Sequence, residues 1–182
     1  MKKKIIIIGS GWAGSSFIKY IDENMYDIEV VSKNKNFIYT PLLANSIFNY
    51  QDLEYDVIKD KKINFIKGEV SDICFNKNYV NLNNKKLQYD YLILAHGSKA
   101  NTFNIKGVEG NCLFLKNIED LKIIREKINN LPNNSKIVVI GCGLTGTEII
   151  GNLLDKKNSI YMQLTEQSYR YLCLIILYQI IQ

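Results

Sequence analysis

The chain has 182 residues, a formal net charge of +5 and 47% hydrophobic residues. This length suits one well-packed domain or two small ones, and the apolar content excludes an intrinsically disordered chain. The lysines are scattered apart from a short run at 2–4. This pattern favours a solvated N-terminus over a surface that binds nucleic acid or membrane.

Four cysteines and one histidine limit the chemistry that side chains can supply. No two cysteines form a C-x-x-C pair, and His96 is the only histidine, so the sequence contains no zinc-ligand set. The same cysteine pattern favours a reducing compartment. We expect no signal or transit peptide, because the first strand begins at residue 4. The apolar segment 171–182 is shorter than the roughly 20 residues that span a bilayer.

The first thirty residues predict a strand, a glycine-rich turn, a helix and a second strand. The apolar run at 4–9 ends at a glycine, which is typical of a buried parallel strand. Residues 12–23 place apolar side chains at helical spacing, and residues 27–32 read as the second strand.

The middle of the chain predicts short strands around an irregular segment. Residues 37–50 read as irregular because Pro41 biases Thr40 away from helical backbone angles. A short helix is expected near 51–58. Further strands are predicted at 63–67, 69–75, 78–82, 86–89 and 90–97. Asn83 and Asn84 supply the turn of a hairpin within this set.

The second half of the chain repeats the opening pattern. An amphipathic helix is predicted at 118–130, and the apolar strand at 136–141 again ends at a glycine before a helix at 144–155. The turn between that strand and that helix repeats the glycine spacing with Gly141, Gly143 and Gly146.

The repeated G-x-G-x-x-G pattern indicates dinucleotide binding. In the first copy, Gly9 permits a tight turn, Gly11 lets a pyrophosphate approach the backbone, and Gly14 permits close packing of helix on strand. The helix N-terminus adds free N–H groups and the positive end of the helix dipole. Ser32 and then Lys33 stand where such units usually carry an acid that binds the ribose, and a serine hydroxyl can bind the same groups without the charge.

Two dinucleotide-binding units in one chain indicate electron transfer between two cofactors. A hydride would pass from a nicotinamide to a flavin, with the protein chiefly positioning the two rings. We therefore predict FAD at the first unit and NADH at the second. No protein acid or base is required for this step, so no catalytic residue is assigned.

Four segments follow one another in a family-specific order. They are IIIGSGWAG at 6–14, YDIEVVSKN at 26–34 followed by FIYTPLL at 37–43, YDYLILAHGS at 89–98, and VVIGCGLTGTE at 138–148. Together they resemble the type II, non-proton-pumping NADH:quinone oxidoreductases of the pyridine nucleotide-disulfide oxidoreductase superfamily. The glycine motifs alone would indicate only that superfamily, whereas the Ser-Gly-Trp and Thr-Pro-Leu-Leu pieces point to the type II enzymes.

The resemblance implies an α/β architecture, a Rossmann-like FAD/NAD(P)-binding fold with a small β-meander and an incomplete second Rossmann unit. It implies an FAD-binding domain over 1–105 and the start of an NADH-binding domain over 106–182, with a divergent apolar tail at 168–182. The cofactor-binding residues predicted from the motifs and the resemblance are Gly9, Gly11, Trp12, Ala13, Gly14, Ser32, Lys33, Thr40, Pro41, Leu42, Val70, Ala95, His96, Gly97, Gly141, Gly143, Thr145, Gly146 and Glu148.

The resemblance also implies a role for some of these residues. Thr40, Pro41 and Leu42 would lie by the flavin ring, and residues 95–97 would run past the flavin phosphates. Val70 would lie near the adenine and Glu148 near the nicotinamide.

Plainer interpretations stay open for five of the predicted residues. Pro41 and Leu42 also fit an ordinary turn packed on the core, and Trp12 fits packing at a helix start. His96 fits an incidental histidine, and Glu148 fits a carboxylate favoured by the helix dipole.

The resemblance implies a quinone as electron acceptor, peripheral contact with the mitochondrial inner membrane and a homodimer, with no nucleic-acid partner. No targeting sequence is visible, so a cytoplasmic or bacterial membrane face is the alternative location. Members of the family are longer and carry a second flavin-contacting segment and membrane-docking helices that this sequence does not show. We therefore expect a partial form that binds FAD, with its turnover in doubt.

Two other functions stay open at this point. One is another flavin reductase of the superfamily, of the sulfide:quinone or ferredoxin type. Sulfide oxidation and disulfide reduction need cysteines near the flavin, and no cysteine lies between residues 33 and 60. The other is a non-catalytic protein that has kept only nucleotide binding.

Overall fold

The computed structural model describes residues 1–102, 104–132, 135–141, 143–156 and 174–178. These residues form two compact units. The first consists of Met1–Ile38 and Glu54–Ser98, and the second of Tyr39–Leu53 and Lys99–Gln182. The boundary near residue 105 between the FAD-binding and NADH-binding domains stays a prediction.

The first unit is built on a parallel sheet. Its elements are β1 (Lys3–Ile8), α1 (Trp12–Tyr20), β2 (Tyr26–Ser32), β3 (Phe37–Ile38), β4 (Glu54–Tyr55), β5 (Asn64–Lys67), β6 (Val70–Cys74), β7 (Tyr79–Leu82), β8 (Lys85–Gln88) and β9 (Tyr91–Leu94). The main sheet has the order β5-β2-β1-β9, and all of its neighbouring strands are parallel. Ile7 of β1 lies opposite Val30 and Ile93, so β1 occupies the sheet centre, and the predicted buried parallel strand is confirmed.

Both faces of this sheet are covered, which explains why β1 is apolar along its whole length. On one face, Ile5 and Ile7 pack with Ile18 of α1. On the other face, Ile6 packs with Val80 beneath the antiparallel meander β6-β7-β8. The meander turns at the predicted Asn-Asn pair, where both residues have a positive φ.

The prediction of a helix near 51–58 is wrong. Residues Glu54–Tyr55 instead form β4, which pairs antiparallel with β3 so that Tyr55 lies opposite Phe37. Ion pairing supports this hairpin, because Lys35 Nζ lies 2.7 Å from Asp56 Oδ2. Pairing with a strand seventeen positions earlier therefore overrides the local preference of the segment.

The second unit combines helices with an antiparallel sheet. Its elements are α2 (Val108–Asn111), β10 (Leu113–Phe114), α3 (Ile118–Asn129), β11 (Lys136–Ile140), α4 (Leu144–Lys156) and β12 (Leu174–Tyr178). A capping box between Asn117 and Asp120 begins α3. Strand β12, from the predicted apolar tail, pairs antiparallel with β10 and β11, and the rest of the tail lies outside the described residues. Across the described parts of the chain, no helix has the length and hydropathy to cross a membrane.

Candidate dinucleotide-binding site

The first glycine turn holds three backbone segments in close contact. Gly9 has a φ of +102°, and its N–H donates to the carbonyl of Val31 at 2.8 Å. A Cβ built on Gly9 would lie less than 3.0 Å from the carbonyl oxygen of Ala95, and a Cβ on Gly14 would lie less than 3.0 Å from that of Gly9. No side chain fits at either position, because the obstructing atoms are backbone atoms.

Gly11 differs from these two glycines because the space beside it is open. A Cβ built on Gly11 would meet nothing within 4 Å, and the residue is exposed. Gly11 is also the N-cap of α1, and no side chain caps the helix there. The first N–H groups of α1 and the open backbone at Gly11 together form a cradle that fits a phosphate group. Ala13 lies exposed in the first turn of the same helix.

A pair of hydroxyl groups links this turn to the end of β2. Ser10 Oγ lies 3.0 Å from Ser32 Oγ and 2.7 Å from the carbonyl oxygen of Asn34. Ser10 is only 5% exposed, whereas Ser32 is half-buried and reaches the surface. Ser10 is a site residue that was not predicted from the sequence, although it is a hydroxyl residue between the first two glycines of the motif.

The chain just before β6 lies next to Ser32. The N–H of Gly68 donates to the carbonyl of Ser32 at 3.0 Å, which brings the start of β6 beside the end of β2. Lys33 Nζ forms an ion pair with Glu69 Oε2 at 2.9 Å. Val70 is half-buried and packs against the core cluster beneath the meander.

The segment after β9 completes this edge of the sheet. The N–H of Ala95 donates to the carbonyl of Ile8 at 2.9 Å, and Ala95 is buried while His96 and Gly97 are exposed. The segment thus lies at the carboxyl ends of β1 and β9, the edge of a parallel sheet where ligands bind.

Trp12 packs at the start of α1. Its ring contacts the ring of Phe37 edge-on, with centroids 4.9 Å apart, and Trp12 remains 50% exposed. This contact agrees with the packing interpretation of Trp12, and a role in cofactor binding stays a prediction.

The second glycine turn has the same construction as the first. Gly141 has a φ of +107°, and a Cβ built on Gly146 would lie less than 3.0 Å from the carbonyl oxygen of Gly141. Gly143 precedes α4, and its carbonyl accepts from the N–H of Thr147 at 3.0 Å. Thr145 is half-buried and Glu148 is exposed on the first turns of α4. Cys142 lies outside the described residues.

The Thr-Pro-Leu-Leu segment forms a short 3-10 turn in the second unit. The turn spans Thr40–Leu42, and the N–H of Leu43 donates to the carbonyl of Thr40 at 3.1 Å. Arg125 of α3 secures the following residues, since its guanidinium donates to the carbonyl of Ser46, at 2.7 Å from Nε, and to that of Asn49 at 3.2 Å. The structure therefore places the predicted site residues in two groups, one within each compact unit.

The family model for pyridine nucleotide-disulphide oxidoreductases matches residues 3–169. The chain belongs to this family. The Rossmann-like α/β fold class is thereby confirmed, and so is the resemblance to the type II NADH dehydrogenases.

Three relatives support the assignment of the chain to this family. The external alternative NAD(P)H-ubiquinone oxidoreductase B3 of Arabidopsis thaliana is 33% identical over 90% of this chain and 34% of its own. The external NADH-ubiquinone oxidoreductase 2 of Saccharomyces cerevisiae is 32% identical over 86% of this chain and 34% of its own. The structure of NDH2 from Plasmodium falciparum in complex with NADH superimposes with a TM-score of 0.78 at 32% identity, over 90% of this chain and 41% of that one. The chain thus spans about a third of the length of the curated relatives it matches.

Two cysteines, Cys74 and Cys112, lie within the described residues, and both are free thiols. Burial raises the pKa of the Cys112 thiol, which makes it a weaker nucleophile at neutral pH. The pKa of the Tyr79 hydroxyl is raised, chiefly through its interaction with the Cys74 thiol. Within the described residues, no group of three or more His, Cys, Asp or Glu side chains could hold a metal ion.

Proposed function

We propose that the chain binds FAD at the first glycine turn and supplies this site to an NADH:quinone oxidoreductase. The observation that carries the proposal is the open backbone at Gly11, between two glycines that admit no side chain. The close contacts of Gly9 and Gly14 fix the turn, while Gly11 leaves room for a pyrophosphate against the N-terminus of α1.

We assign the surrounding residues to the other parts of such a dinucleotide. Ser32 would bind the ribose, Val70 would border the adenine, and residues 95–97 would follow the phosphates along the sheet edge. Bound FAD supplies the acceptor for a hydride, while the protein binds and orients it. The position of Thr40–Leu42 beside the flavin ring stays a prediction of the resemblance.

We also propose that the second glycine turn binds NADH. The support is its construction, since Gly141 and Gly146 repeat the close approach of the first turn. The Plasmodium falciparum relative was solved in complex with NADH. Gly143 and Thr145 would border the phosphates, and Glu148, exposed on α4, would face the nicotinamide end.

A quinone is the proposed electron acceptor. The Arabidopsis thaliana and Saccharomyces cerevisiae relatives are named ubiquinone oxidoreductases and mitochondrial proteins, and we propose the same acceptor and compartment for this chain. Peripheral contact with the inner membrane and a homodimer stay predictions of the resemblance.

Anaerobic reduction of the reconstituted protein tests the proposal. The chain is loaded with FAD, separated from free FAD and mixed with NADH, and the flavin absorbance should be bleached and then restored by a soluble quinone. Gly143→Val should retain FAD but lose bleaching by NADH, because its side chain would block the second turn. Failure to retain FAD would contradict the FAD site. Retained FAD that NADH does not bleach would contradict the hydride-transfer step alone.

A further inference from the structure

The hydroxyl groups of Ser10 and Ser32, beside the first glycine turn, form a short hydrogen-bonded chain that ends at the Asn34 carbonyl. Ser10 Oγ lies within hydrogen-bond distance of two oxygens, the Asn34 carbonyl at 2.7 Å and Ser32 Oγ at 3.0 Å. A carbonyl oxygen can only accept, and a hydroxyl has one proton to donate. We assign the Ser10 proton to the Asn34 carbonyl, which is the nearer oxygen and can only accept, and the Ser32 proton to Ser10 Oγ.

This arrangement fixes what Ser32 offers to a ligand. Its proton points inward to Ser10, which is 5% exposed, so water competes poorly for that hydrogen bond. The lone pairs of Ser32 Oγ remain, and Ser32 reaches the surface at the carboxyl end of β2. Ser32 therefore offers a ligand a hydrogen-bond acceptor but no donor. A carboxylate does the same, but Ser32 carries no charge.

We propose that Ser10 is a positioning residue that makes Ser32 an acceptor-only group, so that the site selects an adenosine ribose whose hydroxyl is free to donate. The inference rests on the proposed nucleotide site and identifies the group that reads the ribose there. The neighbouring cation, Lys33, forms an exposed ion pair with Glu69.

Fluorinated nucleotides test the inference. ADP is compared with ADP analogues in which fluorine replaces the 2′-hydroxyl or the 3′-hydroxyl, because fluorine is similar in size to a hydroxyl but has no proton to donate. Calorimetric titration of the wild-type chain should show weaker binding of at least one analogue, by about fivefold, which is the effect of one net hydrogen bond.

The variants separate the positioning role from a purely structural one. Ser32→Ala should bind ADP and the analogue equally. Ser10→Ala should reduce the preference to about twofold or less, because the released Ser32 proton can then turn toward the ligand. Ser10→Cys, which keeps the side-chain size but donates and accepts weakly, should behave in the same way. Ser16→Ala, an exposed serine on α1, should keep the wild-type preference.

The outcomes distinguish this inference from the proposed site itself. A wild-type chain that binds no ADP would overturn both. Equal binding of ADP and both analogues by the wild-type chain would overturn the inference and leave the nucleotide site standing. A full preference retained in folded Ser10→Ala and Ser10→Cys would do the same, since Ser10 would then not control the Ser32 proton.

Discussion

Gly14 faces the backbone of Gly9 so closely that a Cβ built on Gly14 would lie less than 3.0 Å from the Gly9 carbonyl oxygen. This approach joins the first turn of α1 to the end of β1. Gly146 and Gly141 repeat it in the second unit. In both units the glycine spacing therefore has a structural requirement that is separate from any ligand, and mutations can distinguish the two.

Replacing Gly14 with alanine should destabilise the protein. The added methyl group would meet backbone atoms that cannot rotate away, so we expect the free energy of unfolding to fall by about 1–3 kcal/mol. Gly11→Ala is the matched control, because its methyl group meets nothing within 4 Å. We expect that control to cost less than about 1 kcal/mol, the preference of an N-cap for glycine over alanine. Urea unfolding measures both, and equal losses would contradict the packing argument.

Helix α4 offers a second matched pair. Gly146→Ala should lower the free energy of unfolding, because its Cβ would meet the Gly141 carbonyl. Gly151→Ala, where a Cβ has open space, should raise it by about 0.5–1 kcal/mol through the better helix propensity of alanine. The expected result in urea unfolding is a change of opposite sign in the two variants.

The parts that the sequence predicted correctly are those whose physical cause is local. Each glycine turn is specified within six residues, and the hairpin at Asn83 and Asn84 within two. The contacts of Ser10 could not be predicted from the sequence, because its partners Ser32 and Asn34 are 22 and 24 positions away.

The prediction of a helix at 51–58 was wrong because the contact that decides this segment is also distant in the chain. Pairing of β4 with the distant β3 decides that segment, and periodicity does not record such a partner. The role of Arg125 was likewise invisible, because it donates to carbonyls 79 and 76 positions earlier in the chain.

Asp90 should make the free energy of unfolding depend on pH in the acid range. Its carboxylate accepts from Lys3 Nζ at 2.8 Å and from the N–H of Lys4 at 2.7 Å, and these bonds, the Lys3 bond foremost, lower the pKa of Asp90. A lowered pKa in the folded state gives stability that is present above about pH 4, the ordinary carboxyl pKa. That stability is lost as the pH falls through the lowered value.

Asp90→Asn therefore should be less stable than the wild-type chain at pH 7 and should approach it in acid. Urea unfolding at a series of pH values checks this, with Lys3→Met as the variant that removes the side-chain partner. The result that would contradict the argument is a difference between Asp90→Asn and wild type that stays constant down to the acid limit.

Arg125 should stabilise the segment that follows the Thr-Pro-Leu-Leu turn. Its guanidinium donates to the carbonyls of Ser46 and Asn49, and Ser46 is fully buried. Arg125→Ala would leave the Ser46 carbonyl without its donor, at a cost of about 1–3 kcal/mol. Urea unfolding should show this loss, while Lys122→Ala, an exposed residue of the same helix, should change little. A loss of equal size in both variants would show that the Arg125 hydrogen bonds to Ser46 and Asn49 do not contribute to the free energy of unfolding.

Calorimetric titration of FAD into the wild-type chain and into Gly11→Val tests whether the first glycine turn binds FAD. The valine side chain would occupy the open space at the turn, so we predict that FAD binding falls at least tenfold while the protein stays folded. Gly151→Val, where the added side chain also has room, should bind FAD like the wild-type chain. Undiminished FAD affinity in Gly11→Val would contradict the assignment of the first glycine turn as the FAD site.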